Sequence, residues 1–222
     1  MAARSYGQYC GVTTAVELIG ERWALLIVRD LLVGPRRYTD LKQGLPRIPT
    51  NILAARLKEL QDGGVVRRVP MPHCGLVYEL TGYGRELEPI VLALGRWGFR
   101  AMGEPTPDDV VTADSLTMAL RTAFHADAAA ALPPADYEMH VGAVALRVSV
   151  QGGALTVSPV AQTMGEPDVV FTAGPGIRRV ISGELTPSDA IDESVIHVQH
   201  GDAMLLERFA ATFHIPVPAL ER

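Results

Sequence analysis

The chain has 222 residues, 48% of them hydrophobic and 20% charged, and a formal net charge of −5. This composition is typical of a folded globular protein with room for one large or two small domains. It contains no run of eighteen uncharged apolar residues and no signal-peptide core, so we expect a cytoplasmic protein with no membrane partner. Its two cysteines, Cys10 and Cys74, are too few for a disulfide framework or a paired-cysteine zinc site.

Charge is divided unevenly along the chain. Residues 1–104 carry 14 basic and 10 acidic side chains, a net +4, whereas residues 105–222 carry 6 and 15, a net −9. A phosphate-binding face needs local positive charge whatever the total, so this division predicts a basic nucleic-acid reader joined to an acidic partner domain. The segment 103–109 holds Pro105 and Pro107 and predicts the linker. We therefore expect one domain over residues 1–103 and a second over residues 112–222.

Six elements are predicted before the linker. Helical patterns cover residues 13–20, 23–33, 38–43 and 50–62, the last capped by Thr50 and ended by Gly63-Gly64. Extended runs at 65–69 and 76–80 predict a hairpin with a protruding tip. Apolar residues recur with helical spacing from Tyr83 to Trp97 and predict a long helix. This order matches a winged helix-turn-helix, in which the third and fourth helices form the reading unit and the hairpin is the wing.

The fourth helix is predicted to have two distinct faces. One side of a helical wheel carries three leucines, Leu53, Leu57 and Leu60. Asn51, Ala55 and Lys58 lie nearly opposite and should face outward. A small residue at Ala55 allows close approach to a groove floor, and Asn51 and Thr50 can bond base edges. The alternative is that the alanines are ordinary helix formers and Thr50 is only a cap.

Basic residues surround this helix in sequence. They are Arg36, Arg37, Lys42, Arg47, Arg67 and Arg68. Several are expected to reach phosphates, because such contacts fix register without reading sequence; any single one can instead be a solvated surface residue. Arg56 lies near the rim of the leucine stripe and can equally pair with Glu59 or Glu17. Double-stranded DNA is therefore the expected partner.

Several motifs together resemble the HxlR family of bacterial regulators. They are Ile19-Gly-Glu-Arg-Trp23, Leu31-Leu-Val-Gly-Pro-Arg-Arg-Tyr38, Leu45-Pro-Arg-Ile-Pro-Thr-Asn51, Arg56-Leu-Lys-Glu-Leu60, Gly64-Val-Val-Arg-Arg68 and Tyr78-Glu-Leu-Thr-Gly-Tyr-Gly84. The resemblance covers about residues 8–100. It implies a homodimeric winged-helix protein that binds palindromic operators, with the N-terminal and post-wing helices forming the dimer.

The resemblance also assigns roles to individual residues. It implies that Thr50, Asn51 and Arg56 are recognition-helix contacts and that Arg67 and Arg68 are wing contacts. The apolar stripe at 83–102 becomes a dimer interface, although without the family it is better explained as core. The wing tip, residues 73–75, departs from the family pattern.

Cys10 stands where some relatives carry a thiol that senses oxidants or electrophiles. Such a role requires an exposed thiolate stabilised by nearby positive charge. The alternative is that Cys10 is a small buried hydrophobe.

The second half reads as α+β. Helices are predicted at 115–132, 175–182, 187–193 and 202–213, a hairpin at 137–150 and 155–160, and strands at 168–173 and 195–198.

This succession of elements resembles the sterol-carrier-protein-like fold over residues 112–215. The resemblance lies chiefly at Asp168-Val-Val-Phe-Thr-Ala173, Val180-Ile-Ser-Gly-Glu-Leu-Thr-Pro187 and His200-Gly-Asp202. That resemblance implies a cavity for an apolar small-molecule effector. Its lining would be Phe124, Val144, Leu146, Phe171, Ile177, Ile181, Leu206 and Phe209. The alternative is that these residues form a filled core, since pocket and core use the same residue types.

No catalytic fingerprint accompanies these elements. The chain lacks GxSxG, P-loop and GxGxxG motifs, and His197 and His200 would point to opposite faces of a strand. We therefore expect no enzyme activity, no cofactor and no metal.

The sequence as a whole predicts a homodimeric, sequence-specific transcriptional regulator. We expect it to be a repressor that responds to an apolar small molecule. The alternative is a hydrophobic-ligand carrier that uses the winged helix only for dimerisation.

Overall fold

The computed structural model describes residues 5–106, 108–162, 165–174 and 176–217. The chain forms two compact units, divided between Leu92 and Ala93. This division lies inside a helix and precedes the predicted linker, of which Pro107 falls outside the described residues. Within the described ranges, no helix combines the length and apolar character needed to cross a bilayer.

The first unit has the predicted order of elements. Its helices are α1 (Gly11–Ile19), α2 (Ala24–Val33), α3 (Tyr38–Gly44), α4 (Thr50–Asp62), α5 (Gly82–Arg85) and the start of α6 (Glu88–Phe99), and its strands are β1 (Val66–Met71) and β2 (Gly75–Leu80). The single long helix predicted after the wing is wrong, because residues 86–87 interrupt it. Gly84 explains the tight start of α5: a Cβ there would lie 2.1 Å from the Val65 carbonyl oxygen, so only glycine permits this approach.

The core of the first unit is built around α2. Ile27, Val28 and Leu31 are almost fully buried on that helix, which begins after Trp23 in the left-handed conformation (φ 82°) and ends at Gly34. Side chains from α3, α4, the wing and the segments that join them complete the core. They include Leu41, Ile48, Leu53, Leu57, Leu60, Val65, Val77 and Leu80. Because α2 lies at the centre, it fixes the other elements of the winged helix.

The second unit is a five-stranded sheet with helices. Its helices are α7 (Ala113–Ala123), α8 (Ala126–Ala130), α9 (Ile177–Ile181), α10 (Pro187–Asp192) and α11 (Leu205–Thr212), and its strands are β3 (Ala135–Val141), β4 (Val144–Gln151), β5 (Ala154–Pro159), β6 (Val169–Ala173) and β7 (Ile196–Gly201). The strand order is β5-β4-β3-β6-β7. Only the β3–β6 pair is parallel among the paired strands of this described sheet.

Two predicted elements of this unit are each divided in the structure. The helix expected at 115–132 is two helices, since Phe124 and His125 are extended and Phe124 forms an isolated β-bridge with Phe213. The strand expected at 137–150 is the β3–β4 hairpin. Gly142 turns the chain there with φ +57°, a conformation that tight hairpins require.

The end of α6 belongs to the second unit. A Cβ at Gly95 would lie 2.9 Å from the Thr122 side chain, and Arg96 Nη1 donates to the Thr122 carbonyl oxygen at 3.4 Å. Phe99 packs against the core of this unit. These contacts explain why the division falls before Ala93 rather than at the proline-containing segment.

Candidate nucleic-acid interface

Helix α4 presents one buried and one exposed face, as its sequence predicts. The three leucines of the stripe are at most 1% exposed, whereas Asn51, Ala54 and Lys58 are exposed and Ala55 is partly exposed. Pro49 occupies the cap position and Thr50 is the first helical residue, so the predicted capping role of Thr50 is wrong. A short polar residue and a lysine therefore share the solvent-facing side of a helix anchored by its leucines.

The N-terminal end of α4 is tied to α3. The Tyr38 hydroxyl donates to the backbone carbonyl of Thr50 at 2.8 Å. Between the helices, Leu45 and Ile48 are buried, and Lys42 Nζ donates to the Pro46 carbonyl oxygen at 3.1 Å. The predicted turn, residues 44–49, is thus held by both apolar and polar contacts, which sets the angle between the two helices.

The wing is a regular antiparallel hairpin joined to the start of α3. Residues 66–71 pair with residues 75–80, and Arg36 extends the sheet through backbone hydrogen bonds with Tyr78 at 3.0 and 2.8 Å. At the tip, His73 has a positive φ of 60° and its carbonyl accepts from Arg37 Nη2 at 3.3 Å. The atypical tip therefore lies beside the reading unit.

Several predicted DNA-contacting residues already have partners within the chain. Arg67 pairs with Glu79 at 2.6 Å, and Lys58 pairs with Asp62 at 2.7 Å. Both cations stay open to solvent, with 64% and 75% of their side chains exposed. Arg68 lies over the ring of Tyr78, 5.7 Å from its centre. These positions keep positive charge at the surface of the wing and of α4.

The remaining basic residues lie around the α3 region. Arg37 and Arg47 are exposed, and Arg36 and Lys42 are half-buried. Arg36 Nη1 donates to the Pro35 carbonyl oxygen at 2.9 Å. Direct contact of each residue with DNA stays a prediction.

Arg56 differs from the other candidate contacts. Its guanidinium pairs with Glu21 at 3.1 Å and with Glu59, and only 16% of its side chain is exposed. The predicted pairing of Arg56 with Glu59 is confirmed. The second partner of Arg56 is Glu21 and not Glu17. The Glu17 carboxylate instead accepts a hydrogen bond from the Tyr6 amide.

Cys10 lies at the N-terminal end of α1, where it is exposed. The backbone amides of Thr13 and Val12, at the start of α1, lower the pKa of its thiol. The start of α1 therefore favours the thiolate through backbone dipoles. The alternative of a buried hydrophobe is wrong, because Cys10 is exposed. Cys74, on the wing, is half-buried.

The first unit has an open cavity in an apolar part of its surface, which the sequence did not predict. The cavity has a volume of about 190 Å³. It is lined by Ala15, Leu18, Ile19, Val65, Tyr83, Glu86, Leu87 and Ile90. Helices α1 and α6 contain no buried residue, although both are rich in apolar side chains. The predicted stripe is therefore not core within one chain.

The predicted effector-lining residues lie in the core of the second unit. Leu146, Phe171, Ile177, Ile181, Leu206 and Phe209 are buried, and Phe124 and Val144 pack partly buried against them. The Phe209 ring centre lies 5.4 Å from that of Tyr137, 5.6 Å from that of Phe171 and 4.6 Å from that of Phe213. This ring cluster favours the filled-core alternative at Phe209. Among the described residues, no group of three or more acidic, His or Cys side chains is placed to hold a metal ion.

Known proteins match the part of the chain that carries this site. The HxlR-like helix-turn-helix family matches residues 18–105. The HTH-type transcriptional regulator YvaP of Bacillus subtilis is 38% identical over 85 residues, which are 37% of this chain and 79% of that protein. The chain belongs to the HxlR family. Its first unit is therefore the winged helix-turn-helix DNA-binding domain of a transcriptional regulator.

Other known proteins match a similar share of this chain. The Synechocystis HTH-type transcriptional regulator sll1512 is 33% identical over 94 residues, 41% of this chain and 70% of that protein. The solved structure of quinone-bound YodB from B. subtilis is 32% identical, covers 39% of this chain and 93% of that chain, and has a TM-score of 0.35. The HxlR match ends at residue 105, so it says nothing of the second unit beyond that point.

Proposed function

We propose that this HxlR-family protein is a homodimeric, sequence-specific repressor that binds double-stranded DNA and responds to an apolar small molecule. The observation that carries the proposal is the face of α4 that bears Asn51 and Lys58. It is solvent-exposed, whereas the opposite face is buried. A helix held in this way can enter the major groove, with Asn51 at its N-terminal end against base edges.

The wing and the surroundings of α3 supply the charge that such binding needs. Four arginines in these regions are exposed, and none of them lies on the leucine face of α4. They are Arg37, Arg47, Arg67 and Arg68. Contacts of this type fix the register of a protein on the duplex and make its affinity depend on salt. In this proposal Arg68 and Arg37 contact phosphates, and Asn51 discriminates between bases.

Exposed apolar side chains on α1 and α6 support the homodimer. Within the first unit they include Val12, Val16 and Ile90, of which Val12 is 72% exposed. Contiguous apolar surface on a soluble protein marks an interaction site, and a second copy of the same helices offers a matching surface with closed symmetry. Two paired recognition helices would then meet half-sites about one helical turn apart.

The second unit is proposed as a sterol-carrier-like effector domain. Its support is the apolar core enclosed by the sheet and helices, together with the motifs at residues 168–173 and 180–187. A ligand there changes operator affinity only if it binds the DNA-competent and DNA-incompetent states unequally. An apolar ligand would have to displace or separate core side chains such as Leu146 and Leu206.

Selection from a random duplex library with the full chain tests the regulator. The expected result is a palindromic sequence bound with nanomolar affinity and a steep loss of affinity as salt increases. The same duplex placed over a promoter should lower transcription when the protein is added. Micromolar, sequence-blind binding would instead support the carrier.

The effector is tested by extracting lipids from the purified chain and identifying them by mass spectrometry. The proposed effector would be overturned by an extract without lipid, together with an operator affinity that does not change when fatty acids or sterols are added.

A further inference from the structure

Arg56 links the recognition helix to another part of the first unit. Its Nη2 lies 3.1 Å from Oε2 of Glu21, and Glu21 belongs to the turn between α1 and α2. Its Nη1 pairs with Glu59, one turn further along α4. One guanidinium thus bridges a carboxylate on its own helix and a carboxylate on the α1–α2 turn.

A second contact, which is apolar, lies at the C-terminal end of α4. A Cβ at Gly63, which follows the last residue of α4, would lie 2.9 Å from Cδ2 of Leu18 on α1. The α1–α2 turn therefore meets the middle of α4, through Arg56, and α1 meets its end, at Gly63. Both contacts fix the direction in which the exposed face of α4 points.

The same geometry makes Arg56 a poor phosphate contact. Only 16% of its side chain is exposed, compared with 75% for Lys58 on the same helix. Because most of the side chain is buried and two carboxylates engage it, the guanidinium must rearrange to present its remaining N–H groups to a phosphate oxygen. Lys58 needs no such rearrangement of the α1–α2 turn, because its partner Asp62 is on α4.

We propose that Arg56 is a positioning residue, which orients the recognition helix by pairing with Glu21 and does not contact DNA. This proposal rests on the regulator function proposed above. It makes the α1–α2 turn part of the DNA-binding apparatus, although Glu21 carries the wrong charge to touch DNA. A change in the α1–α2 turn therefore reaches α4 through this pair.

The effect of Glu21→Gln on DNA affinity has opposite signs in the two interpretations. If Arg56 contacts phosphate, removing Glu21 frees the guanidinium and removes a repulsive charge, so affinity should increase. If Arg56 positions α4, removing Glu21 loosens the helix and affinity should decrease. Glu17→Gln is the matched control, because it makes the same charge change on α1 at a carboxylate that pairs with the Tyr6 amide.

The experiment measures binding of the full chain to a fluorescein-labelled duplex chosen by library selection, across a salt series. We expect Glu21→Gln and Arg56→Gln each to weaken binding roughly tenfold. The double variant should be no weaker than either single variant, because both remove one link. The slope of affinity against salt should stay unchanged, whereas loss of a phosphate contact reduces it by about 1.

A tighter complex with Glu21→Gln, or a reduced salt slope with Arg56→Gln, would overturn the proposal. Hydrogen–deuterium exchange without DNA gives an independent readout. Both variants should increase deuterium uptake in peptides from α4 and from the α1–α2 turn, while Glu17→Gln leaves α4 unchanged. Unchanged uptake in α4 would also overturn it. If no duplex is selected, the regulator function fails, and the exchange measurement still decides whether Arg56 holds α4.

Discussion

The hydroxyl of Tyr38 donates a hydrogen bond to the backbone carbonyl of Thr50, and the two oxygens are 2.8 Å apart. Tyr38 is the first residue of α3 and Thr50 the first of α4. The bond therefore joins the starts of the two helices across the turn that separates them. In a helix-turn-helix the angle between these helices decides how the second one meets the groove.

Tyr38→Phe should weaken DNA binding while leaving the fold intact. The variant loses one hydrogen bond at a partly exposed position, worth about 1 kcal/mol, so urea unfolding should show a small loss of stability. Binding to the selected duplex is the measurement. Tyr6→Phe, at an exposed tyrosine, is the control, and equal effects of both variants would remove the role given to Tyr38.

Asn51→Ala and Arg68→Ala should affect DNA binding differently. Loss of Asn51 is expected to relax base preference at one position and to cost about 1–3 kcal/mol on the preferred duplex. Loss of Arg68 should weaken all sequences together and reduce the salt slope by about 1. Titrations of selected and shuffled duplexes measure both. Small, equal effects would contradict the placement of α4 in the groove.

Ile90→Glu should dissociate the homodimer. Ile90 is 49% exposed on α6, and a carboxylate at the centre of an apolar interface loses its hydration without a partner. Sedimentation equilibrium should show monomers for this variant. Met204→Glu changes a side chain that is 69% exposed in the second unit and should leave the dimer intact. A dimeric Ile90→Glu would exclude this face as the interface.

Cys10 should be alkylated faster than Cys74 at neutral pH. The backbone amides of Thr13 and Val12 lower the pKa of the Cys10 thiol, which increases the thiolate fraction, and the thiol is exposed. Limited iodoacetamide treatment followed by peptide mass spectrometry measures the two rates. Cys10→Ser should abolish any loss of DNA binding caused by electrophiles, whereas Cys74→Ser should preserve it. Preferential labelling of Cys74 would contradict the assignment.

Acid should destabilise the fold through His214. Its ring stacks on that of His125, with centres 3.9 Å apart, and burial, followed by the nearby His125, lowers the pKa of His214 from its ordinary 6.5. Folding thus favours the neutral ring. The stabilisation is complete above the unfolded-state pKa and is lost as pH falls through that value towards the folded pKa, because the unfolded chain then binds more protons.

Thermal melts between pH 7.5 and 5 test this prediction. His214→Asn should flatten the decrease in melting temperature with acid. His197→Asn, at an exposed strand position, should not. A wild-type chain whose melting temperature is constant over this range would contradict the argument.

Local patterns were enough to predict α4 and the wing of the first unit. The leucines of α4 recur with helical spacing, and Gly63-Gly64 marks its end, so the sequence predicted both the helix and its exposed face. The wing was equally clear, because two β-rich runs flank a turn. Each of these signals acts within a few residues, where helix and strand periodicity and backbone preference dominate.

Long-range packing decided the rest. The end of α6 packs with the second unit, since Gly95 meets Thr122 and Phe99 joins the core there. Proline and glycine counts in a linker do not reveal these contacts. The sequence offered Glu59 and Glu17 as partners of Arg56, and only the position of the α1–α2 turn in the structure adds Glu21. The sequence by itself determined the periodic faces of helices and strands. The tertiary structure chose which of those faces and charges meet, because side chains far apart in sequence compete for the same space and the same partner.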